Sequence, residues 1–91
     1  MNNADEAAEK IHYICQTYVE VKGRGGQGSL KVDKLLQYTS AAQAEDRAER
    51  ENRNGSCVGA DAYMIREDPG SGEVSAPVFL ARFGRVPDDE E

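Results

Sequence analysis

Residues 39–55 read TSAAQAEDRAERENRNG, and the fold of the chain turns on them. Ser40 is suited to cap a helix N-terminus, and Gln43, three residues on, completes a capping box. Asn54-Gly55 supplies a left-handed stop. Alanine, glutamate and arginine, all good helix formers, fill the interval. Asp46–Arg50 and Glu49–Arg53 stand at i, i+4 with the acid first, the favourable order. The spacing predicts a helix over 41–53. Its apolar stripe is Ala41, Ala44 and Ala48, and its outward face is Glu45, Asp46, Arg47, Glu49, Arg50 and Arg53. Buried alanine removes little area from water, well under about 1 kcal/mol each. Such a helix is able to lie close to a sheet, and the sheet is expected to supply the bulk.

Outward from the helix, period-two patterns appear on both sides. In IHYICQTYVEVK (11–22), Ile11, Tyr13, Cys15, Thr17, Val19 and Val21 share one face. His12, Gln16, Glu20 and Lys22 share the other, with Ile14 and Tyr18 as apolar exceptions. β-Branched and aromatic residues in alternation mark a half-buried strand. The second strand is expected at 29–38, with Leu30, Val32, Leu36 and Tyr38 on one face, Leu35 opposite, and Lys34 marking a bulge or a fraying end. After the helix, 57–66 alternates Val58, Ala60, Ala62 and Met64 against Cys57, Gly59, Asp61, Tyr63 and Ile65. EDPGSGE (67–73) reads as a turn, with Pro69-Gly70 suited to the centre of a type II turn. Residues 74–84 read as the last strand, with Pro77 at an edge or at its start.

The order β-β-α-β-β predicts an α+β fold: a four-stranded antiparallel sheet with one helix packed on one face. A single domain is expected over 11–87, after a flexible acidic N-terminus (1–10) and before an acidic tail (88–91). All 91 residues fit one domain with a modest core, given a 38% hydrophobic content. The net charge is −6, and the acids concentrate at the ends. The eleven basic residues all lie between Lys10 and Arg85 with ten of the seventeen acids. No basic stripe stands out, which argues against nucleic-acid binding. No apolar run approaches a membrane span. The polar, acidic start lacks the basic head and apolar core of a secretory signal, so a cytoplasmic location is expected.

GRGGQG (23–28) raises the question of a phosphate cradle. A cradle precedes a helix and carries Lys-Ser/Thr after the glycines, whereas a strand pattern follows here. The loop therefore reads as a hairpin turn, with anion binding through Arg24 as the alternative. His12 is the sole histidine and reads as a surface residue, because Glu20 on the same strand lies about 27 Å away at about 3.3 Å per residue. Cys15 and Cys57 read as small core fillers, with a redox pair or disulfide as the alternative. With one histidine and two separated cysteines, no metal site is expected, and no cofactor is implied.

Two binding readings follow. The second face of the sheet would carry Ile14, Tyr18, Tyr63 and Ile65, more apolar surface than an alanine-lined helix on the opposite side could cover. Patches of this kind mark interfaces. The leading expectation is therefore a non-enzymatic protein–protein interaction or self-association module using these four residues. The alternative is a binder of small anions or nucleic acid using Arg24, Arg82 and Arg85.

Four motifs also resemble a set of short alphaproteobacterial proteins of unknown function. They are the AAxAxxRAER helix (Ala41 to Arg50), a GAxAY strand (Gly59 to Tyr63), a DPxxGE turn (Asp68 to Glu73) and LARFGxVPD (Leu80 to Asp88). The resemblance spans about 11–88. It implies a bacterial cytoplasmic protein and carries no catalytic residues with it. The acidic N-terminal residues and the longer 22–38 segment depart from that pattern.

Overall fold

In the computed structural model, alternation along the chain becomes a four-stranded antiparallel sheet in the order β2-β1-β3-β4. Residues 9–26 and 28–87 are described; the expected acidic N-terminus falls largely, and the acidic tail wholly, outside them. The strands are β1 (Lys10–Lys22), β2 (Gly28–Tyr38), β3 (Gly59–Glu67) and β4 (Val78–Gly84), and the helix α1 is Ala41–Asn54. The sequence order is β-β-α-β-β, as the alternation and the caps predict. β1 and β3 are the inner strands of the sheet, and β1 is the longest strand. It pairs with β2 on one side and with β3 on the other, from Lys10↔Glu67 to Tyr18↔Gly59. Beyond Tyr18 it pairs with β2 alone, so the hairpin overhangs the sheet by four residues, roughly 13 Å.

The cap of α1 follows the sequence with one shift. The Ser40 hydroxyl accepts from the Gln43 amide at 3.2 Å. The Gln43 side chain returns one residue further upstream than a capping box requires, accepting from the Thr39 amide at 3.2 Å and the Thr39 hydroxyl at 3.0 Å. At the other end Asn54 is still helical, and Gly55 takes the left-handed conformation at φ 79°.

The interface between helix and sheet shows where the sheet supplies its bulk. Its fully buried members are Cys15, Ala44, Ala48, Ala60 and Ala62. The sheet beneath the helix is therefore as small-sided as the helix itself. The bulk stands around the rim, in Tyr13, Leu36, Tyr38, Leu80 and Phe83. The reason is steric: close approach requires small residues on both surfaces, and large side chains fit only where the two diverge. The tightest point is where Gly59 pairs with Gly84. A Cβ on Gly59 would collide with the Arg85 carbonyl as the chain crosses over it.

β2 departs from simple alternation. Between Tyr18↔Val32 and Gln16↔Leu35, Asp33 and Lys34 together oppose Thr17. This is a bulge, and the buried Thr17 hydroxyl accepts from the Lys34 amide at 3.1 Å. The extra residue reverses the parity of the strand. Leu36 and Tyr38 face the helix, but Leu30 and Val32 pair with Glu20 and Tyr18 and lie on the opposite face with Leu35. The expectation that Leu30, Val32, Leu36 and Tyr38 share a face is thus overturned by the bulge at Asp33–Lys34.

Two further corrections concern the last hairpin. β4 begins at Val78, after Pro77, and residue 74 makes only an isolated bridge to Glu67. The β3–β4 turn is not a type II turn at Pro69-Gly70, since Gly70 is not in the left-handed region and Gly72 is, at φ 78°. Asp68 organises it instead. Its carbonyl accepts from the Gly72 amide at 2.7 Å, and its side chain accepts from the Gly70 amide and the Ser71 hydroxyl.

Candidate functional site

The face of the sheet opposite α1 is populated by alternate residues of each strand: His12, Ile14, Gln16, Tyr18 and Glu20 from β1, and Asp61, Tyr63 and Ile65 from β3. β2 adds Leu30, Val32 and Leu35, and β4 adds Phe79 and Arg82. The strand pairings place Ile14, Tyr18, Tyr63 and Ile65 on this one face, with Ile14 directly opposite Tyr63 and His12 opposite Ile65. They differ in exposure: Ile14 and Tyr18 are buried, while Tyr63 and Ile65 are half-buried. The exposed apolar side chains on this face are Leu35, at 58%, and Val32, at 45%, both on the edge strand β2.

What buries the middle of an otherwise open face is a ring of polar and aromatic contacts. Asp61, opposite Arg82 in register, is fully buried. Arg82 donates to both of its oxygens, from Nε at 2.7 Å and Nη2 at 3.0 Å. The Tyr18 hydroxyl donates to Asp61 Oδ2 at 2.9 Å. Gln16 Nε2 donates to the Tyr18 hydroxyl at 2.9 Å, and the Tyr63 hydroxyl donates to Gln16 Oε1 at 2.8 Å. Tyr63 meets Phe79 edge to face, with ring centroids 5.9 Å apart. The Arg82 guanidinium lies 3.9 Å over the Phe79 ring, which closes the circuit. A buried carboxylate is tolerated only when paired and hydrogen-bonded, and here three donors satisfy it. Burial, and then donation to Asp61, push the Tyr18 hydroxyl up to about 12. Burial also raises Tyr63.

This ring ties six side chains together: Gln16, Tyr18, Asp61, Tyr63, Phe79 and Arg82. Among the described residues, no buried side-chain nitrogen or oxygen lacks a partner. The three arginines of the anion reading stand in different surroundings. Arg24 sits exposed in the hairpin loop, Arg82 holds Asp61 and the Pro87 carbonyl, and Arg85 pairs with Glu20 at 3.2 Å.

His12 is not the isolated surface residue its strand suggests. Its Nε2 lies 2.9 Å from Glu67 Oε1, and its Nδ1 lies 2.6 Å from Gln37 Nε2, so the ring ties β2, β1 and β3 together. Both cysteines are free thiols. Burial, then Glu51, pushes Cys15 up to about 11, and burial raises Cys57, so both stay protonated and unreactive at neutral pH. The glycine-rich loop is a turn: Arg24–Gly26 form one 3-10 turn, closed by the Gly26 amide on the Gly23 carbonyl at 3.1 Å. A shallow polar recess of about 220 Å³ lies at the β3–β4 turn, lined by Glu9, Arg66, Asp68, Glu73, Val74 and Ser75. Among the described residues, no group of three or more His, Cys, Asp or Glu is placed to hold a metal ion, and no helix is long and apolar enough to cross a membrane.

Sequence reasoning missed Asp61, Gln16, Phe79 and Glu51. Glu51 continues the alanine stripe at i+10 from Ala41 and is buried on the helix side of the sheet. Lys34 Nζ at 3.1 Å, Arg47 Nε at 2.8 Å and the Ser56 hydroxyl at 3.2 Å satisfy it. Hydrogen bonding to Lys34 leads the effects that hold its carboxyl below the usual range. The signal for Asp61 was its isolation: a single acid in GADAYMI and a single base in FLARFG call for each other.

A scan against protein-family models, a search of curated proteins and a search of solved structures each return no match.

Proposed function

We propose that this protein is a small non-enzymatic interaction module of the bacterial cytoplasm that binds a protein surface, its own or another's, through the open face of its sheet. One observation carries the reading: the face opposite α1 presents Leu35 and Val32 exposed on an edge strand, beside a core made rigid by the Asp61–Arg82 ring. Exposed apolar side chains on a preorganised surface favour association, because little side-chain entropy remains to be lost on binding. Tyr63 and Ile65 extend the apolar area inward, and the buried Ile14 and Tyr18 support it from below. The anion-binding alternative is weaker, since Arg82 and Arg85 are already paired with Asp61 and Glu20.

The test is size-exclusion chromatography with light scattering at about 100 μM, together with binding of a hydrophobic dye. The native chain should self-associate or bind the dye, and Leu35→Lys should weaken whichever is seen. A native chain that stays monomeric and binds no dye would end the proposal.

A further inference from the structure

We infer that the occupant of this surface is a second copy of the same chain, joined edge to edge through antiparallel pairing of β2 with β2 about a two-fold axis at Val32. The inference rests on the interaction reading above and names its partner and register.

β2 and β4 are the two edges of the sheet. β4 is the more blunted one: it has seven residues and follows Pro77, whereas the irregularity of the longer β2 is confined to the bulge at Asp33–Lys34. β2 has eleven residues and no proline, and its stretch from Gly28 to Val32 pairs regularly with β1. Its outer backbone groups are the natural template for another strand.

Charge then selects the register. Lys31 and Asp33 are exposed, carry opposite charge and stand two residues apart on the helix side of the sheet. Among the described residues neither side chain has a partner, whereas Lys34 is committed to Glu51. A two-fold axis normal to the sheet keeps both helices on one side, so facing residues must share a face. In the middle of the strand, that leaves pairings centred on Lys31, Val32 or Asp33. The first sets Lys31 against its own copy, and the third does the same for Asp33; both juxtapose like charges, which destabilise a cross-strand pair. Centring on Val32 sets Lys31 against the partner's Asp33 twice over, once on each side of the axis. It also brings Val32 against the partner's Val32 on the open face, with Leu30 and Leu35 flanking. The two apolar edges then merge into one strip across an eight-stranded sheet.

Charge exchange tests this directly. Lys31→Asp and Asp33→Lys are exposed changes, and circular dichroism should report an unaltered fold for each. Sedimentation equilibrium should show each single variant self-associating about tenfold more weakly than the native chain, because two symmetric contacts turn from attractive to repulsive. The double variant K31D/D33K should recover native affinity, and an equimolar mixture of the two single variants should form a heterodimer. Single variants as tightly associated as the native chain, or a swap that fails to restore, would refute the register. A native chain that is monomeric at 1 mM would refute self-pairing. If Leu35→Lys weakens binding while the charge exchanges leave it unchanged, the face reading stands and the edge pairing falls.

Discussion

Replacing Asp61 by alanine removes the acceptor of three hydrogen bonds at a position with no solvent exposure. Arg82 keeps its contacts with Phe79 and the Pro87 carbonyl but loses its counter-charge, and the Tyr18 hydroxyl loses its acceptor. Breaking a buried ion pair from one side costs about 3–5 kcal/mol. The Arg82 side chain is 25% exposed, so water relieves part of the loss and the lower end, about 3 kcal/mol, is expected. Against a total stability of about 5–15 kcal/mol this is a large fraction. At about 4–8 °C per kcal/mol for a domain of this size, the midpoint should fall by about 12–24 °C. Urea unfolding followed by circular dichroism measures it. The paired replacement D61L/R82M should come much closer to the native value, because it removes both charges and keeps the volume filled. Asp61→Asn, which retains an acceptor for Tyr18, should fall between. A D61A protein within about 1 kcal/mol of native, or a D61L/R82M protein as damaged as D61A, would refute the claim that an uncompensated guanidinium is the source of the loss.

Alkali should unfold the protein with a contribution from Cys15 and Tyr18. Both are raised in the folded state, to about 11 and about 12, so the stability they confer is whole below pH 9 to 10 and drains away as pH climbs through 11 to 12. Cys15→Ala should flatten the lower part of that profile in a pH series of thermal melts. Glu51 acts with the opposite sign. Its lowered folded pKa means that its contribution is present above about pH 4.5 and disappears on further acidification, so Glu51→Gln should make stability less pH-dependent in that range. Gly59→Ala should be a damaging change, since the added methyl meets the Arg85 backbone, costing about 2 kcal/mol or more. Gly55→Ala meets open space and should cost only about 1 kcal/mol, from its left-handed backbone. Thermal melts of the two side by side give the comparison.

The parts of this fold legible in the sequence are those governed by local rules. Alternation in 11–22 and 57–66 located β1 and β3, and Ser40 and Gly55 bracketed the helix to within a residue. The grouping of Ile14, Tyr18, Tyr63 and Ile65 on one face also follows from alternation. What escaped is what depends on a partner distant in the chain. Asp61 finds Arg82, His12 finds Glu67 and Glu51 finds Lys34 only once the strands are in register. For the same reason Glu20 misled as the carboxylate to weigh against His12: the relevant acid is 55 positions away in sequence and one strand away in space. Exposure escaped as well. Alternation assigns a face, but whether a side chain on it is covered depends on neighbours such as Leu35 and Arg82, whose positions come from other strands.

The bulge at Asp33–Lys34 acts as a phase shifter for the strand that carries it. Deleting one of those two residues would restore unbroken alternation. Because Val32 already opposes Tyr18 and Leu35 already opposes Gln16, that deletion would leave Leu30, Val32 and Leu35 together on the open face and remove only the local bend. A single codon thus separates a kinked margin from a straight one that displays the same greasy side chains, which makes it an economical point at which evolution, or a designer, is able to reshape the border without changing its chemistry.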